Sequence, residues 1–225
     1  MIILNTVYVK NYKLPEYNIN EILRYAGAKE LTPEVKSLLS ECLIEVRDKL
    51  SGKVCYCEFP IVCCGEVLDL TFTKTNSADL RKNLKGCNSI VVFGATVGIE
   101  LDRVIARYGA VSPAAALMFQ AIGAERIEAL CDIFVNELEE QKEALGKTIM
   151  PRFSPGYGDL PIEIQKDIFC TLDCAKRIGL TLNQSLLMSP SKSVTAIIGI
   201  SDTEQTRQSG CISCEKKDCI YRRTI

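Results

Sequence analysis

The pattern of apolar and polar positions predicts a chain that combines strands with helices. Residues 1–16 are expected to be extended, with apolar residues available for a strand. Runs rich in β-branched and aromatic residues predict strands at 54–59, 67–72 and 90–95. The near-continuous apolar character of residues 193–200 predicts a further strand in the centre of a sheet.

Capping residues mark the first three predicted helices. Asn18 precedes a short helical pattern that ends near residue 26. Thr32 and the proline after it begin a second helix, which the apolar spacing extends to residues 51–52. Ser77 is expected to cap a short third helix whose leucines face inward.

Two further helices are predicted in the second half of the chain. The longest helical pattern begins at Ser112, before a proline, and runs to about residue 145. Its apolar stripe contains many small residues, which predicts close contact with a buried neighbour. Another helix is expected to start at Pro161, with Asp159 as its N-cap and Gly179 as its C-terminal stop.

Charge and composition argue against several classes of partner. The net charge is −1, so no basic surplus indicates a nucleic acid or an anionic membrane surface. No apolar run approaches the roughly 20 residues that a membrane span needs. The first residues lack the basic and apolar pattern of a signal peptide, so we expect a cytoplasmic protein.

The chain contains 12 cysteines and no histidine. A disulfide scaffold is not expected for a domain of this size in a reducing compartment. The alternatives are apolar packing or a soft-metal site built from thiolates. They apply to Cys170 and Cys174, which lie four residues apart on one predicted helix. They also apply to the cysteines of the first strand region, Cys55, Cys57, Cys63 and Cys64.

Residues 201–225 are expected to form a cysteine-rich tail, separate from a domain of residues 1–200. The tail carries a C-x2-C-x4-C motif, Cys211, Cys214 and Cys219, whose spacing is typical of thiolates that bind one metal. An iron–sulfur cluster or zinc would be the bound group, with a fourth ligand from elsewhere in the chain. Redox thiols, or no special role, are the alternatives for these residues.

Residues 151–161 have the composition of a shaped loop, with three prolines and two glycines in eleven residues. Irregular backbone of this kind leaves N–H and C=O groups for a ligand. Arg152 adds a planar cationic fork suited to a carboxylate, and Tyr157 adds a flat face. Glu128 and Asp132, one turn apart on the longest helix, form either a solvated face or a receptor for an ammonium group. The alternative for the loop is a surface turn between two helices.

A resemblance to a known family is carried by this loop and by the segments on either side of it. Residues 152–161, Arg-Phe-Ser-Pro-Gly-Tyr-Gly-Asp-Leu-Pro, resemble the S-adenosylmethionine-binding loop in the activation domain of cobalamin-dependent methionine synthase. Residues 93–98, Phe-Gly-Ala-Thr-Val-Gly, are similar to the family's turn between a strand and a helix. Downstream, the match continues in register through Gly179, Leu182, Ser185, Met188, Pro190, Ser193 and Val194.

The resemblance implies a single α+β domain, C-shaped, with a central, mainly antiparallel twisted sheet and flanking helices over residues 1–200. It implies that S-adenosylmethionine binds in a shallow groove. Arg152 would pair with the ligand's carboxylate, and Glu128 would lie near its amino group. Tyr157 would face the corrin ring during methyl transfer and is the catalytic candidate. The adenosine end would be held by Ser154, Pro155 and Gly156.

The resemblance also implies a function. The chain would bind S-adenosylmethionine and support the reductive remethylation of inactive cob(II)alamin in methionine biosynthesis, as an accessory component of methionine synthase. No segment of the sequence resembles a cobalamin-binding domain. The expected partners are therefore a separate methionine synthase or related corrinoid protein, which supplies the cobalamin, and an electron donor. The alternative, of a different class, is a small metal or iron–sulfur electron-transfer protein whose loop 151–161 is only structural.

Overall fold

Helices and strands are interspersed along residues 6–28 and 30–202, the part of the chain that the computed structural model describes. The helices are α1 (Ile19–Ala26), α2 (Pro33–Val46), α3 (Ala78–Asn83), α4 (Glu100–Val111), α5 (Pro113–Glu143), α6 (Ile164–Leu172) and α7 (Cys174–Ile178). The strands are β1 (Tyr8–Tyr12), β2 (Gly52–Pro60), β3 (Val62–Cys64), β4 (Val67–Asp69), β5 (Lys74–Thr75), β6 (Ser89–Thr96), β7 (Thr148–Ile149), β8 (Thr181–Leu182), β9 (Met188–Ser189) and β10 (Ser193–Ser201).

Strands from both ends of the described chain form a curled, antiparallel five-stranded sheet in the order β1–β2–β6–β10–β7. β10 pairs with β6 along nearly its whole length and with β7 at its end, so it lies inside the sheet, as predicted. Two smaller antiparallel sheets, β3–β4–β5 and β8–β9, lie outside it. The structure therefore confirms the predicted fold class, a single α+β domain with a mainly antiparallel sheet and flanking helices.

Alternation along the strands gives the sheet two apolar faces. In β6, Val91, Phe93 and Ala95 point into a cluster that includes residues of α1, α2, α4 and α5. Ile90 and Val92 point the other way, into a cluster with α3, α6 and α7. The sheet is therefore covered by helices on both faces, with the longest helix on the first face.

Helix α5 spans 31 residues and contacts both the middle and the edge of the sheet. The ring of Phe134 packs against that of Phe93, with 4.9 Å between centroids. At the edge strand β1, Tyr12 donates a hydrogen bond of 2.6 Å to Glu137, which also pairs with Lys10. Among the described helices, none combines the length and the apolar character needed to cross a membrane.

The predicted capping residues begin their helices as expected. The side chains of Asn18, Thr32, Ser77 and Ser112 each accept a hydrogen bond from the backbone N–H three residues later. Each cap satisfies one of the N–H groups that a helix leaves without an internal partner. Local sequence was therefore sufficient to locate these four helix starts.

Two helix ends differ from the prediction. α2 stops at Val46 rather than at residues 51–52. Strand β2 begins at Gly52, and the N–H of Ser51 already donates to the carbonyl of Val97 at 3.1 Å, so these residues belong to the sheet region. The helix expected from Pro161 to Gly179 is divided into α6 and α7 by Asp173, whose φ of 50° is left-handed. Asp is among the few residues that tolerate this conformation.

Helices α4 and α5 come together at Gly123, where the small residues of α5 predicted a close contact. A Cβ at this position would lie 2.4 Å from Leu101 Cδ2 and 2.8 Å from Lys192 Cγ. Leu101 is fully buried, so its side chain has little room to move aside. The glycine therefore sets the distance between the two helices.

We expect Gly123→Ala to be less stable than Gly109→Ala by about 1–3 kcal/mol, the usual cost of overpacking a core. Gly109 lies in α4, and a Cβ there meets nothing within 4 Å. Both changes gain the same helix propensity, so their difference isolates the steric term. Urea denaturation of the two variants measures it, and equal free energies of unfolding would contradict the contact.

Candidate functional site

The loop predicted to bind a ligand is fixed at its start by strand β10. Phe153 and Ile197 exchange two backbone hydrogen bonds of 2.9 Å, and Met150 donates to the carbonyl of Gly199 at 2.8 Å. The Phe153 side chain is buried in the cluster beneath α6 and α7. Because β10 is inside the sheet, it gives Arg152 a rigid base.

Residues 154–160 close on themselves as a compact turn. Gly156 donates to the carbonyl of Leu160 at 2.9 Å, and Tyr157 donates to that of Ser154 at 3.1 Å. Gly156 has a φ of 85°, which disfavours any residue with a side chain. Pro155 and Leu160 are buried beneath the turn. The N–H groups of Gly156 and Tyr157 therefore serve the turn itself, whereas the sequence led us to expect backbone groups free for a ligand.

Asp159 binds α3 rather than capping the helix that follows it, which corrects the prediction. Its carboxylate accepts hydrogen bonds from the hydroxyl of Ser77 and from the N–H groups of Ala78, at 2.7 Å, and Asp79, at 3.2 Å. Asp79 in turn accepts from the N–H of Asp159 at 3.2 Å. A Cβ at Gly158 would lie 2.4 Å from Asp79 Oδ2, so this approach requires glycine. The exchange attaches the end of the loop to the start of α3.

Tyr157 lies at the outer end of the turn, with 67% of its surface exposed. Its ring meets the ring of Phe153 edge-on, with 5.4 Å between centroids and 82° between planes. Ile162, 41% exposed, is next to Gly156 in the same region. The loop therefore presents a supported aromatic face to solvent.

Arg152 points towards α5, where the predicted carboxylate pair receives it. Its Nη2 donates to Glu128 Oε2 at 2.9 Å and to Asp132 Oδ1 at 3.3 Å. The guanidinium side chain is 21% exposed. It is therefore held against the two carboxylates of α5 and is still partly open to solvent.

The thiol of Cys131 lies beside the same guanidinium and stays neutral. Burial raises the pKa of Cys131 to about 12, despite the nearby charge of Arg152. A neutral thiol does not compete for the cation as a thiolate would. The charged groups at this end of the site are therefore Arg152, Glu128 and Asp132.

A groove of ≈ 390 Å³ opens beside this ion pair. We call it the α1–α5 groove, because its walls come from the chain at and before α1 and from one face of α5. Glu128 and Asp132 lie in the α5 wall, so the carboxylates that hold Arg152 also face the cavity. Its lining residues are Pro15, Glu16, Asn18, Glu21, Tyr25, Glu125, Glu128, Ala129, Asp132, Ile133 and Asn136.

The buried pair Glu125–Arg126 fixes the wall opposite Glu128, and sequence reasoning missed it. Arg126 is 1% exposed, donates to the carbonyls of Pro15 at 2.5 Å and Glu16 at 3.0 Å, and stacks on Tyr17. Glu125 accepts from Arg126 through both Nε and Nη2, at 2.5 Å each. The available signal was a pair of opposite charges inside an apolar stripe, which is costly unless both are paired.

The structure therefore places the predicted site residues in two connected groups. Arg152 and Glu128 are in direct contact, and Asp132 joins them. Ser154, Pro155, Gly156 and Tyr157 follow in the turn, with Tyr157 the most exposed of the four. Cys211, Cys214 and Cys219 lie outside the described residues.

The cysteines that are described form no metal centre. In residues 6–28 and 30–202, no group of three or more histidine, cysteine, aspartate or glutamate side chains could hold a metal ion. The helix break at Asp173 separates Cys170, which is exposed, from Cys174, which is buried. Cys55 and Cys57 are buried in the core, and the remaining pair of that region, Cys63 and Cys64, is exposed. The interpretation of these residues as metal ligands is not supported.

Comparison with known proteins identifies the fold. No protein-family model matches the sequence, and no curated protein matches it. The structure is similar to the crystal structure of the MetH reactivation domain bound to AdoHcy, with a TM-score of 0.61 and 16% sequence identity. The similarity covers 91% of this chain and 81% of that one. The predicted resemblance is thereby confirmed at the level of the fold.

We expect Asp159→Ala to lower thermal stability and to speed hydrogen exchange at the N–H groups of Ala78 and Asp79. Hydrogen bonds, first from the Ser77 hydroxyl and then from these backbone groups, hold the pKa of Asp159 below its usual value. The contribution is therefore present above the unfolded pKa and lost as the pH falls through the lower folded one.

Asp159→Asn, which keeps one acceptor oxygen but no charge, is the matched control and should fall between wild type and Asp159→Ala. Exchange measured by mass spectrometry at neutral pH distinguishes the three proteins. Unchanged protection of the α3 start in Asp159→Ala would contradict the attachment.

Proposed function

We propose that this chain binds S-adenosylmethionine at Arg152 and the α1–α5 groove and presents its methyl group to a cobalamin held by a partner protein. The partner would be a methionine synthase or a related corrinoid protein, and the methyl transfer would support its reductive remethylation. The observation that carries the proposal is Arg152, held by Glu128 and Asp132 beside a groove. The fold, similar to a reactivation domain bound to AdoHcy, supports it.

The charges of the site complement the methionine end of the ligand. The partly exposed guanidinium of Arg152 can donate to the ligand's carboxylate while it remains next to Glu128 and Asp132. The ligand's ammonium group can then donate to these two carboxylates from the groove. One cation and two anions thus receive a zwitterion that also carries a sulfonium charge.

The turn after Arg152 is proposed to receive the adenosine end. Ser154, Pro155 and Gly156 lie next in the chain, and a ligand can reach Ser154, which is half-buried, and Gly156, which is exposed. The phenol of Tyr157 projects from this turn into solvent. It is therefore available to contact the flat corrin ring of a docked partner.

S-adenosylmethionine supplies an electrophilic methyl group, which a reduced cobalt nucleophile can take without general acid–base catalysis. The task of the chain is therefore to position the ligand, with β10 and α3 holding the two ends of the loop. A sequence without histidine fits this task. We further propose that an electron donor reduces the partner's cobalt. We also propose that the protein acts in the cytoplasm.

The alternative, a metal or iron–sulfur electron carrier, depends on Cys211, Cys214 and Cys219. These residues lie outside the described part of the chain, and the structure offers no observation in favour of that function. S-adenosylmethionine binding is therefore the function that the described geometry supports best.

We expect Arg152→Ala to weaken S-adenosylmethionine binding about 10- to 100-fold, because a charged hydrogen-bonding partner contributes about 1.5–3 kcal/mol. Titration calorimetry on wild type and variant measures the change. Arg103→Ala is the control, because in the described part of the chain Arg103 forms an ion pair with Glu100 at the surface and its side chain is 68% exposed. Equal affinity of wild type and Arg152→Ala, or no binding by wild type, would refute the proposed site.

We expect Tyr157→Ala to leave S-adenosylmethionine affinity nearly unchanged but to slow methyl transfer to the partner's cobalamin, because the ring faces outward. The assay follows transfer of a labelled methyl group under reducing conditions with a corrinoid methionine synthase. Tyr8→Ala, which removes another exposed ring, serves as control. A normal transfer rate in Tyr157→Ala would exclude the residue from the docking face.

A further inference from the structure

Two cysteines that are far apart in sequence meet in the interior. Cys55 lies on β2 and Cys174 is the first residue of α7, and both are 0% exposed. Their Sγ atoms are 3.7 Å apart, within the distance of a hydrogen bond between two thiols. This pair lies outside the site proposed for S-adenosylmethionine.

The sheet provides the space for this contact at Gly94. In the register of β2 and β6, Cys55 is directly opposite Gly94. A Cβ on Gly94 would lie 3.2 Å from Cys174 Sγ and 3.6 Å from Cys55 Sγ. Because Gly94 has no side chain, the thiol of Cys174 can pack against the sheet next to the thiol of Cys55.

The two thiols differ in acidity. The hydrogen bond with Cys174 lowers the pKa of Cys55 against the opposing effect of burial, with help from the Gly94 backbone and from the charge of Arg177. The same contact raises the pKa of Cys174. Cys55 is thus the member of the pair that loses its proton more readily, and Cys174 keeps its proton in contact with it.

We propose that Cys55 and Cys174 are an oxidation site, at which a hydroperoxide converts the two thiols into an internal disulfide. The Cys55 thiolate attacks the peroxide O–O bond and becomes a sulfenic acid, and an alcohol or water leaves. Cys174 then attacks the sulfenic sulfur, the S–S bond forms, and water leaves. In total, the two thiols lose two protons and two electrons, and the hydroperoxide gains them to give the alcohol or water and a second water molecule.

The short helix α7 is the member that moves. Bond formation must bring the sulfur atoms from 3.7 Å to about 2.05 Å. β2 is paired on both sides, by β1 and β6, and holds its position. α7 has five residues between two left-handed residues, Asp173 and Gly179, so it can shift, or open to admit the oxidant, as a small unit.

The new bond would tie the helical layer beneath the Arg152 loop to the sheet. Phe153 and Leu160 of the loop belong to the same apolar cluster as Cys55 and Cys174. A covalent link across a separation of 119 residues restricts the unfolded chain strongly. The oxidised protein is therefore expected to melt at a higher temperature than the reduced protein.

Tryptic peptide mapping of the full chain tests the proposal directly. Exposure to hydrogen peroxide, followed by alkylation, should yield peptide 54–74 linked to peptide 167–176, two hydrogens lighter than their sum. Fragmentation should place the bond between Cys55 and Cys174 rather than at Cys57 or Cys170. The rise in melting temperature should disappear on treatment with dithiothreitol.

Variants distinguish the pair from its neighbours. Cys174→Ser should abolish the linked peptide, and Cys57→Ser, at a buried position on the same strand, should retain it. If Cys174→Ser does not fold, the wild-type map remains decisive. Recovery of Cys55 and Cys174 as alkylated free thiols after the exposed cysteines have been oxidised would overturn the proposal. A bond from either residue to another cysteine would overturn it as well.

Discussion

The ion pair of Arg152 with Glu128 and Asp132 is the interaction on which the arrangement of the site depends. It joins a loop carried by the sheet to a helix that covers the opposite face of the same sheet. A guanidinium with only 21% of its side chain exposed needs anionic partners, and the i, i+4 spacing on α5 supplies two. The loop side of this contact is held in place because Phe153, next to Arg152, is paired with β10. The position of Arg152 Nη2 is thereby fixed before a ligand binds, so that the ligand need not order this side chain.

Fold similarity and local geometry contribute different parts of the functional argument. A match at 16% identity shows how the chain is folded and says nothing by itself about ligands. The charges that would meet a ligand are instead held in place by the buried pair Glu125–Arg126 and by the loop. These charges balance a zwitterion and leave one anionic group over, which suits a ligand with an additional positive charge. The function proposed above therefore rests on the site, whereas the similarity shows the fold.

Local signals predicted much of the structure, and long-range contacts account for what they missed. Capping residues and β-rich runs located helix starts and the central strand because their causes lie within a few residues. The end of α2 depends on Ser51 bonding to Val97, which no window around residue 46 contains. Asp159 had a helix immediately after it and still bound α3, which lies 80 residues earlier in the chain. The loop that carries Arg152 was recognised from its composition. That Arg152 pairs with Glu128 and Asp132 of α5 was seen only in the tertiary structure.

Helix α5 carries three separate attachments along one rigid rod: Glu125 and Arg126 to the segment before α1, Glu128 and Asp132 to Arg152, and Glu137 to β1. Each attachment faces its partner only because the helix advances by about 100° per residue. Inserting one residue between positions 136 and 137 would rotate Glu137 away from the sheet edge while leaving the groove-lining residues of α5 in register. The number of residues between these contacts on α5 therefore cannot change by one without turning one contact away from its partner.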